Sequence, residues 1–182
     1  MRRVAKIIIT RACSRIRNDR CNLDLSGHKM IYKDEELLRY EEIVLAGGEP
    51  MIVPKEILEF QNRIKAKGYK GKIHIQTSLW LNNGISKEVL KALDGIIFLL
   101  HAGCTEKEIM ALKSLSNSGI LQNKDFYSCL VIDKQVYEKY DLSNINLTRW
   151  SVIRKLYIKK ENIPEQKEDL LIYELEEETQ WK

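Results

Sequence analysis

Gly47-Gly48-Glu49-Pro50, called the GGEP turn below, ends a short apolar run and combines residue types suited to holding a ligand. Glycine permits positive φ angles and lets a ligand approach the backbone, glutamate supplies a carboxylate acceptor, and proline restricts the exit of the chain. These properties suit a ligand that carries an ammonium group. An ordinary connection between a strand and a following helix explains the same four residues.

A second group of residues that could do chemistry follows the first apolar run of the chain, at Cys13, Cys21 and His28. Thiolates, and in some cases imidazoles, hold iron in iron–sulfur proteins. No two of the four cysteines have the Cys-x2-Cys spacing of a zinc site. The other two, Cys104 and Cys129, are expected to be buried packing residues.

A first strand that ends near Cys13 and a second strand that ends in the GGEP turn resemble the radical S-adenosylmethionine (radical SAM) superfamily. In that superfamily three cysteines spaced Cys-x3-Cys-x2-Cys hold a four-iron, four-sulfur cluster. Its open iron binds the amino and carboxylate groups of S-adenosylmethionine, and the GGEP turn hydrogen-bonds the same amino group. The resemblance therefore implies this cofactor, with the GGEP turn among its contacts.

The chain departs from the superfamily pattern at the cluster. If Cys13 is the first ligand, the other two positions are Arg17 and Arg20, neither of which binds iron. If Cys21 is the first ligand, His28 is the other residue left at a ligand position. The first register is favoured because it leaves the more plausible gap before the GGEP turn. Arg17 and Arg20 are then expected to fill the space of the cluster and to bind a carboxylate or phosphate.

A mixed ligand set remains as an alternative. It consists of Cys13, Cys21 and His28, and it applies only if a cluster is bound.

Short apolar runs alternate with amphipathic segments along the chain, which predicts an α/β fold with a mostly parallel sheet. Strands are expected near residues 6–10, 43–46, 72–76, 95–100, 127–132 and 152–158, with a last one near 170–175. Helices are expected over residues 54–67 and 86–93 and after a capping box at residues 105–108.

The number of units sets the predicted architecture. A full eight-unit barrel takes about 250 residues, and the chain has 182. An open, partial (β/α)6-type barrel is the natural alternative, and the resemblance implies the same radical-SAM-like architecture. The chain is expected to form one domain over residues 1–182, with an acidic C-terminal segment at about residues 161–182.

Ligands of parallel α/β sheets bind beyond the carboxyl ends of the strands. Besides the GGEP turn, the residues at such ends are Thr77, Ser78, His101 and Asp133. Thr77 and Ser78 are expected to offer hydroxyls to the ligand, although such hydroxyls often bind the local backbone instead. His101 is a candidate general acid or base. Trp80, beside this edge, is expected to be a packing residue.

The formal net charge is +4, and the charges are unevenly distributed along the sequence. Arginines are concentrated in residues 1–20 and acidic residues in 161–182, so an arginine-rich loop could attract a phosphate, a nucleic acid or an acidic protein. No apolar run is long enough to span a bilayer, and free cysteines without an export signal predict a cytoplasmic location and no membrane partner.

Three functions compete at this level. The favoured one is a radical-SAM-fold protein that binds S-adenosylmethionine or a related nucleoside ligand without radical chemistry, in effect a pseudoenzyme. The second is a small radical SAM enzyme, similar to activases or a deazaguanine-forming enzyme, with a non-standard cluster. The third is a non-enzymatic protein whose basic loop binds nucleic acid or an acidic partner.

Overall fold

Eight β-strands and four α-helices make up most of the part of the chain that the structure, a computed structural model, describes: residues 3–10, 12, 29–31, 33–156 and 169–173. The strand pairs given below are all parallel. The predicted α/β class with a parallel sheet is therefore confirmed. These residues divide into two compact units, one up to Ile73 together with 169–173, and one from His74 to 156.

The strands of the first unit run in the order β2-β8-β1-β3. Their bounds are Val4–Thr10 for β1, Lys29–Ile31 for β2, Glu42–Gly47 for β3 and Asp169–Tyr173 for β8. A 3-10 helix, Asp34–Arg39, precedes β3, and a second one, Pro50–Ile52, follows it. Helix α1 spans Pro54–Ala66.

Strands β1 and β3 are nearly continuous apolar runs, and this composition explains their burial. Ile7, Ile43 and Leu45 are completely buried, and most of the other residues of both strands are at least largely buried. Parallel strands covered on both faces have this pattern rather than an alternating one. Helix α1 buries Ile57, Phe60 and Ile64, whose spacing places them on one face.

The second unit begins inside β4 and has the strand order β4-β5-β6-β7. The strand bounds are Lys72–Thr77 for β4, Gly95–Leu100 for β5, Tyr127–Asp133 for β6 and Val152–Leu156 for β7. The helices are α2 over Gly84–Ala92, α3 over Glu106–Asn117 and α4 over Lys134–Lys139. Two further 3-10 helices span Ile120–Gln122 and Leu147–Arg149. None of the helices in the described ranges is long and apolar enough to cross a bilayer.

Most of the predicted elements are present, with small shifts at their ends. Strand β5 agrees at both ends, and the predicted capping box is confirmed at α3, where Thr105 and Glu108 cap each other's backbone. The predicted start of α2 at Ser86 is wrong. The helix begins at Gly84 because the Asn83 side chain caps it, accepting a hydrogen bond from the Ser86 amide at 2.9 Å.

A carboxylate cluster ties the segment before β3 to the end of α1. Asp34 is only 5% exposed, and its Oδ2 lies 3.0 Å from Arg63 Nε and 3.1 Å from Lys67 Nζ. Lys67 Nζ also lies 3.0 Å from Glu35 Oε1. The pKa of Lys67 is raised, first by its hydrogen bond with Glu35 and then by that with Asp34. Asp34 thus joins two elements that are distant in sequence.

We expect Asp34→Asn to lower the free energy of unfolding by about 1–2 kcal/mol, because the substitution removes the charge of a buried hydrogen-bond acceptor. The loss is moderate because the partners, Arg63 and Lys67, are partly exposed to water. Urea unfolding followed by circular dichroism measures this change. Glu35→Gln is the matched control, since Glu35 is 62% exposed and its replacement should leave the midpoint unchanged. Equal effects of the two substitutions would contradict the assigned role of Asp34.

Candidate functional site

The GGEP turn connects the carboxyl end of β3 to two successive helices. Gly47 is the last residue of β3, and Pro50 is the first residue of the 3-10 helix that precedes α1. Proline suits the first position of a helix, because its fixed φ is helical and its missing N–H has no partner to lose there. The turn therefore changes the chain from extended to helical within a few residues.

Gly47 lies against the end of β1 with no space for a side chain. Its φ is +125°, and a Cβ atom added to it would overlap the carbonyl oxygen of Thr10. The register between β1 and β3 shifts at this point, so that Thr10 rather than Ile9 pairs with Gly47. The predicted need for glycine in this turn is confirmed for Gly47 by both its φ angle and this contact.

Two backbone hydrogen bonds fix the rest of the turn to the chain that leaves β1. The Gly48 amide donates to the Thr10 carbonyl at 2.8 Å, and the Glu49 amide donates to the Ala12 carbonyl at 2.8 Å. The residue after Ala12 in the sequence is Cys13. The GGEP turn is thus hydrogen-bonded to the residue that immediately precedes the first predicted cluster position.

Glu49 is a buried acidic residue, 4% exposed. Its Oε1 accepts a hydrogen bond from the Met51 amide at 3.3 Å, which caps the Pro50–Ile52 helix. A buried carboxylate requires charged or hydrogen-bonding partners, because removing it from water is costly. The Met51 amide is one such partner of Glu49.

The hydroxyl of Thr77, at the carboxyl end of β4, binds the backbone of its own loop. It accepts a hydrogen bond from the Leu79 amide at 3.0 Å and donates to the Leu79 carbonyl at 3.3 Å. Thr77 is buried and Ser78 is half-buried. Thr77 thus makes the local backbone contacts that a hydroxyl at a strand end often makes.

His101 and Asp133 follow paired positions of β5 and β6. Leu100 pairs with Ile132, so His101 and Asp133 come one residue further along neighbouring parallel strands. Asp133 caps α4, because its Oδ1 accepts a hydrogen bond from the Gln135 amide at 2.9 Å. His101 Nδ1 accepts a hydrogen bond from the Gly103 amide at 3.2 Å.

Cys104 and Cys129 are both buried free thiols, as predicted. The backbone carbonyl of Cys104 accepts a hydrogen bond from the Tyr140 hydroxyl at 3.0 Å. Reactive cysteines are usually at least partly exposed in electropositive surroundings. These two are packing residues of the second unit.

The predicted site residues fall into three groups. The GGEP turn belongs to the first unit, together with the end of β1, whereas Thr77 and Ser78 belong to the second unit. The predicted cluster and arginine positions, Cys13, Arg17, Arg20, Cys21 and His28, lie outside the described residues. Within the described ranges, no group of three or more metal-ligating His, Cys, Asp or Glu side chains occurs.

Trp80 is buried as predicted, but one of its atoms was not anticipated. Its indole nitrogen is enclosed, and no residue in the described part of the chain accepts a hydrogen bond from it. A sequence pattern carries no signal for such an atom, because its environment is set by distant parts of the chain.

Comparison of the sequence with models of known protein families gives no match, and a search of curated proteins gives none either.

Gly47→Ala should lower the free energy of unfolding by roughly 3 kcal/mol or more. Alanine is strained at the φ angle of this position, and its methyl group would overlap the β1 backbone. Gly68→Ala is the matched control. Gly68 also has a positive φ, +93°, but has open space where a Cβ would lie. Its substitution should cost only about 1 kcal/mol. Urea unfolding of both variants measures the difference, and similar losses would contradict the close contact between Gly47 and Thr10.

Proposed function

We propose that this chain is a radical-SAM-like partial (β/α)6 barrel that binds S-adenosylmethionine, or a related nucleoside ligand, through its GGEP turn and does so without radical chemistry. The observation that carries the proposal is the attachment of this turn to the end of β1. Gly48 and Glu49 donate to the carbonyls of Thr10 and Ala12, directly before Cys13. In the superfamily that the sequence resembles, the same two segments hold the cofactor.

The chemistry of the turn suits the amino group of S-adenosylmethionine. Glu49 brings a carboxylate to a buried position at the carboxyl end of a parallel strand, where ligands of α/β proteins bind. An ammonium group pairs with such a carboxylate through a charge-assisted hydrogen bond. Because the turn is held by backbone contacts, its acceptors are positioned before the ligand arrives, which reduces the entropic cost of binding.

The residues of this chain do not fit the four-iron cluster of the superfamily. In the register that starts at Cys13, Arg17 and Arg20 occupy the other two ligand positions, and a guanidinium carries no lone pair available to iron. One thiolate cannot replace three. The proposal therefore includes no step through a cluster. Instead, Arg17 and Arg20 bind the carboxylate of the ligand, as a planar guanidinium does with two parallel hydrogen bonds.

Thr77 and Ser78, which belong to the second unit, remain predicted ligand-binding residues in their own right.

Glu49→Gln should weaken binding of S-adenosylmethionine by about tenfold or more, since a hydrogen bond between two charged groups is replaced by a weaker one. Isothermal titration calorimetry measures the affinity. Glutamine keeps an oxygen for the Met51 amide, and 5′-methylthioadenosine, which lacks the amino acid part, should bind both proteins equally. Glu59→Gln, which removes the same charge from an exposed position of α1, should have no effect.

Two results would contradict the proposal at this point. The first is the absence of measurable binding of S-adenosylmethionine to the folded wild-type protein. The second is a stoichiometric four-iron cluster after anaerobic reconstitution, detected by iron and sulfide content and the visible spectrum. That second result would favour the radical SAM enzyme with Cys13, Cys21 and His28 as ligands.

The double variant Arg17→Ala/Arg20→Ala should bind S-adenosylmethionine about tenfold or more weakly and 5′-methylthioadenosine with unchanged affinity, because only the former carries a carboxylate. Arg3→Ala/Lys33→Ala is the matched control, since it removes two positive charges from exposed positions of the first unit. An equal loss of affinity in both double variants would show that only general electrostatic attraction is at work. It would exclude specific binding by Arg17 and Arg20.

A further inference from the structure

The peptide bond between Asn83 and Gly84 lies at the start of α2, in a loop that is open to solvent. Residues 81–84 are all exposed. Asn82 has a φ of +50°, a conformation that asparagine adopts more readily than most residues. Gly84 is the first residue of α2, and a Cβ atom added to it would meet nothing within 4 Å. Water therefore reaches both residues of this peptide bond.

The backbone amide of Gly84 has no hydrogen-bond acceptor in the described part of the chain. The first four amides of an α-helix lack partners within the helix, and Gly84 provides the first of them in α2. Glycine also has no Cβ atom to shield its nitrogen, and its backbone turns freely. This amide can therefore approach Cγ of the preceding residue, Asn83.

The cap of α2 places a hydrogen-bond donor on the Asn83 side chain. The Ser86 amide donates to Asn83 Oδ1 at 2.9 Å. A donor at a carbonyl oxygen stabilises the negative charge that develops there when a nucleophile adds to the carbonyl carbon. The bond that caps the helix thus also makes Cγ of Asn83 more reactive towards the Gly84 amide.

We infer that Asn83 is a site of spontaneous covalent modification, at which the Gly84 amide nitrogen attacks Cγ and closes a cyclic succinimide. The bond between Cγ and Nδ2 breaks, and Nδ2 leaves as ammonia together with the proton of the Gly84 amide. Water then opens either carbonyl of the ring, which gives aspartate or isoaspartate at position 83. No electrons are transferred and no ligand takes part, so the inference is independent of the proposed function.

The two products should affect α2 differently. Aspartate keeps an oxygen for the Ser86 amide, caps helices as well as asparagine does, and adds a negative charge that a helix N-terminus favours. Isoaspartate lengthens the main chain by one methylene group, which displaces the acceptor. The amide of Ser86, a residue only 1% exposed, then loses its partner. Conversion to isoaspartate should therefore destabilise the start of α2, whereas conversion to aspartate should not.

The first test follows the reaction by mass spectrometry in the folded, full-length protein. During incubation at neutral pH, the tryptic peptide that ends at Lys87 should gain the mass of an amide-to-acid change at Asn83. Asn123 is the internal control, because it is exposed and accepts a hydrogen bond from the Asp125 amide at 3.0 Å, but is followed by lysine. Asn123 should react at least about tenfold more slowly, since a side chain on the following residue shields the attacking nitrogen. Gly84→Ala should slow the reaction of Asn83 for the same reason.

The second test measures what the products do to α2. Asn83→Asp should leave the thermal midpoint unchanged or raise it, and Asn83→Ala, which removes the acceptor, should lower it. After incubation of the wild-type protein, an isoaspartate methyltransferase assay should detect isoaspartate. The fraction that contains it, separated by chromatography, should unfold at a lower temperature than the fraction that contains aspartate.

A synthetic peptide of residues 79–88 provides the unfolded reference that decides whether the folded site reacts. Loss of the amide at Asn83 in the folded protein, ahead of Asn123 and suppressed by Gly84→Ala, supports the inference. Loss in the peptide alone overturns it, because the fold then protects Asn83. Equal rates at Asn83 and Asn123 also overturn it, because Gly84 then has no specific role. An unchanged thermal midpoint of Asn83→Ala would overturn the assigned effect on α2.

Discussion

The close approach of Gly47 to the Thr10 carbonyl is the constraint on which the candidate site depends. A residue with any side chain at this position would push β3 away from the end of β1. The shift in register between Ile8 and Thr10 brings Thr10 level with Gly47. Beside this contact, the amides of Gly48 and Glu49 donate to the Thr10 and Ala12 carbonyls. One missing Cβ atom thus permits two further hydrogen bonds.

The same turn also determines how the chain enters α1. Glu49 is extended, and its carboxylate caps the helix that Pro50 begins. Pro54 then begins α1 itself, so each of the two helices has a proline in its first turn. Glu49 therefore has a structural role at Met51 even without a ligand. Replacement by glutamine preserves this role, which is why affinity and folding are separable at this residue.

Elements with a strong local signal could be predicted from the sequence, and those formed by distant contacts could not. Strand β5 and helix α1 were recognisable because a continuous apolar run and a helical apolar spacing are local properties. Strand β2 has only three residues and pairs with β8, which lies more than a hundred residues later in the sequence. Its short sequence contains no pattern that predicts a strand. Helix α4 was also missed, because six residues are too few to show a helical apolar period.

The candidate site also combines features with a local sequence signal and features formed by distant contacts. The GGEP turn was predictable because the conformational freedom of glycine and the rigidity of proline act within adjacent residues. Its hydrogen bond to Ala12 joins residues far apart in sequence, and only the pairing of β1 with β3 brings them together. The unpaired Trp80 nitrogen and the Asp34 cluster are also products of tertiary structure. Sequence reasoning therefore identified the residues of the turn but not the atoms that hold it.

The bonds that hold the GGEP turn explain how it could persist without a cluster. The contacts with β1 use the backbone carbonyls of Thr10 and Ala12, and the helix cap uses Glu49 and the neighbouring Met51 amide. None of these bonds involves a thiolate, so the absence of a cluster in the proposed function removes none of them. In the proposed function, the turn therefore presents its acceptors to the ligand without a metal. Binding of the nucleoside is then independent of the cluster that radical chemistry would need.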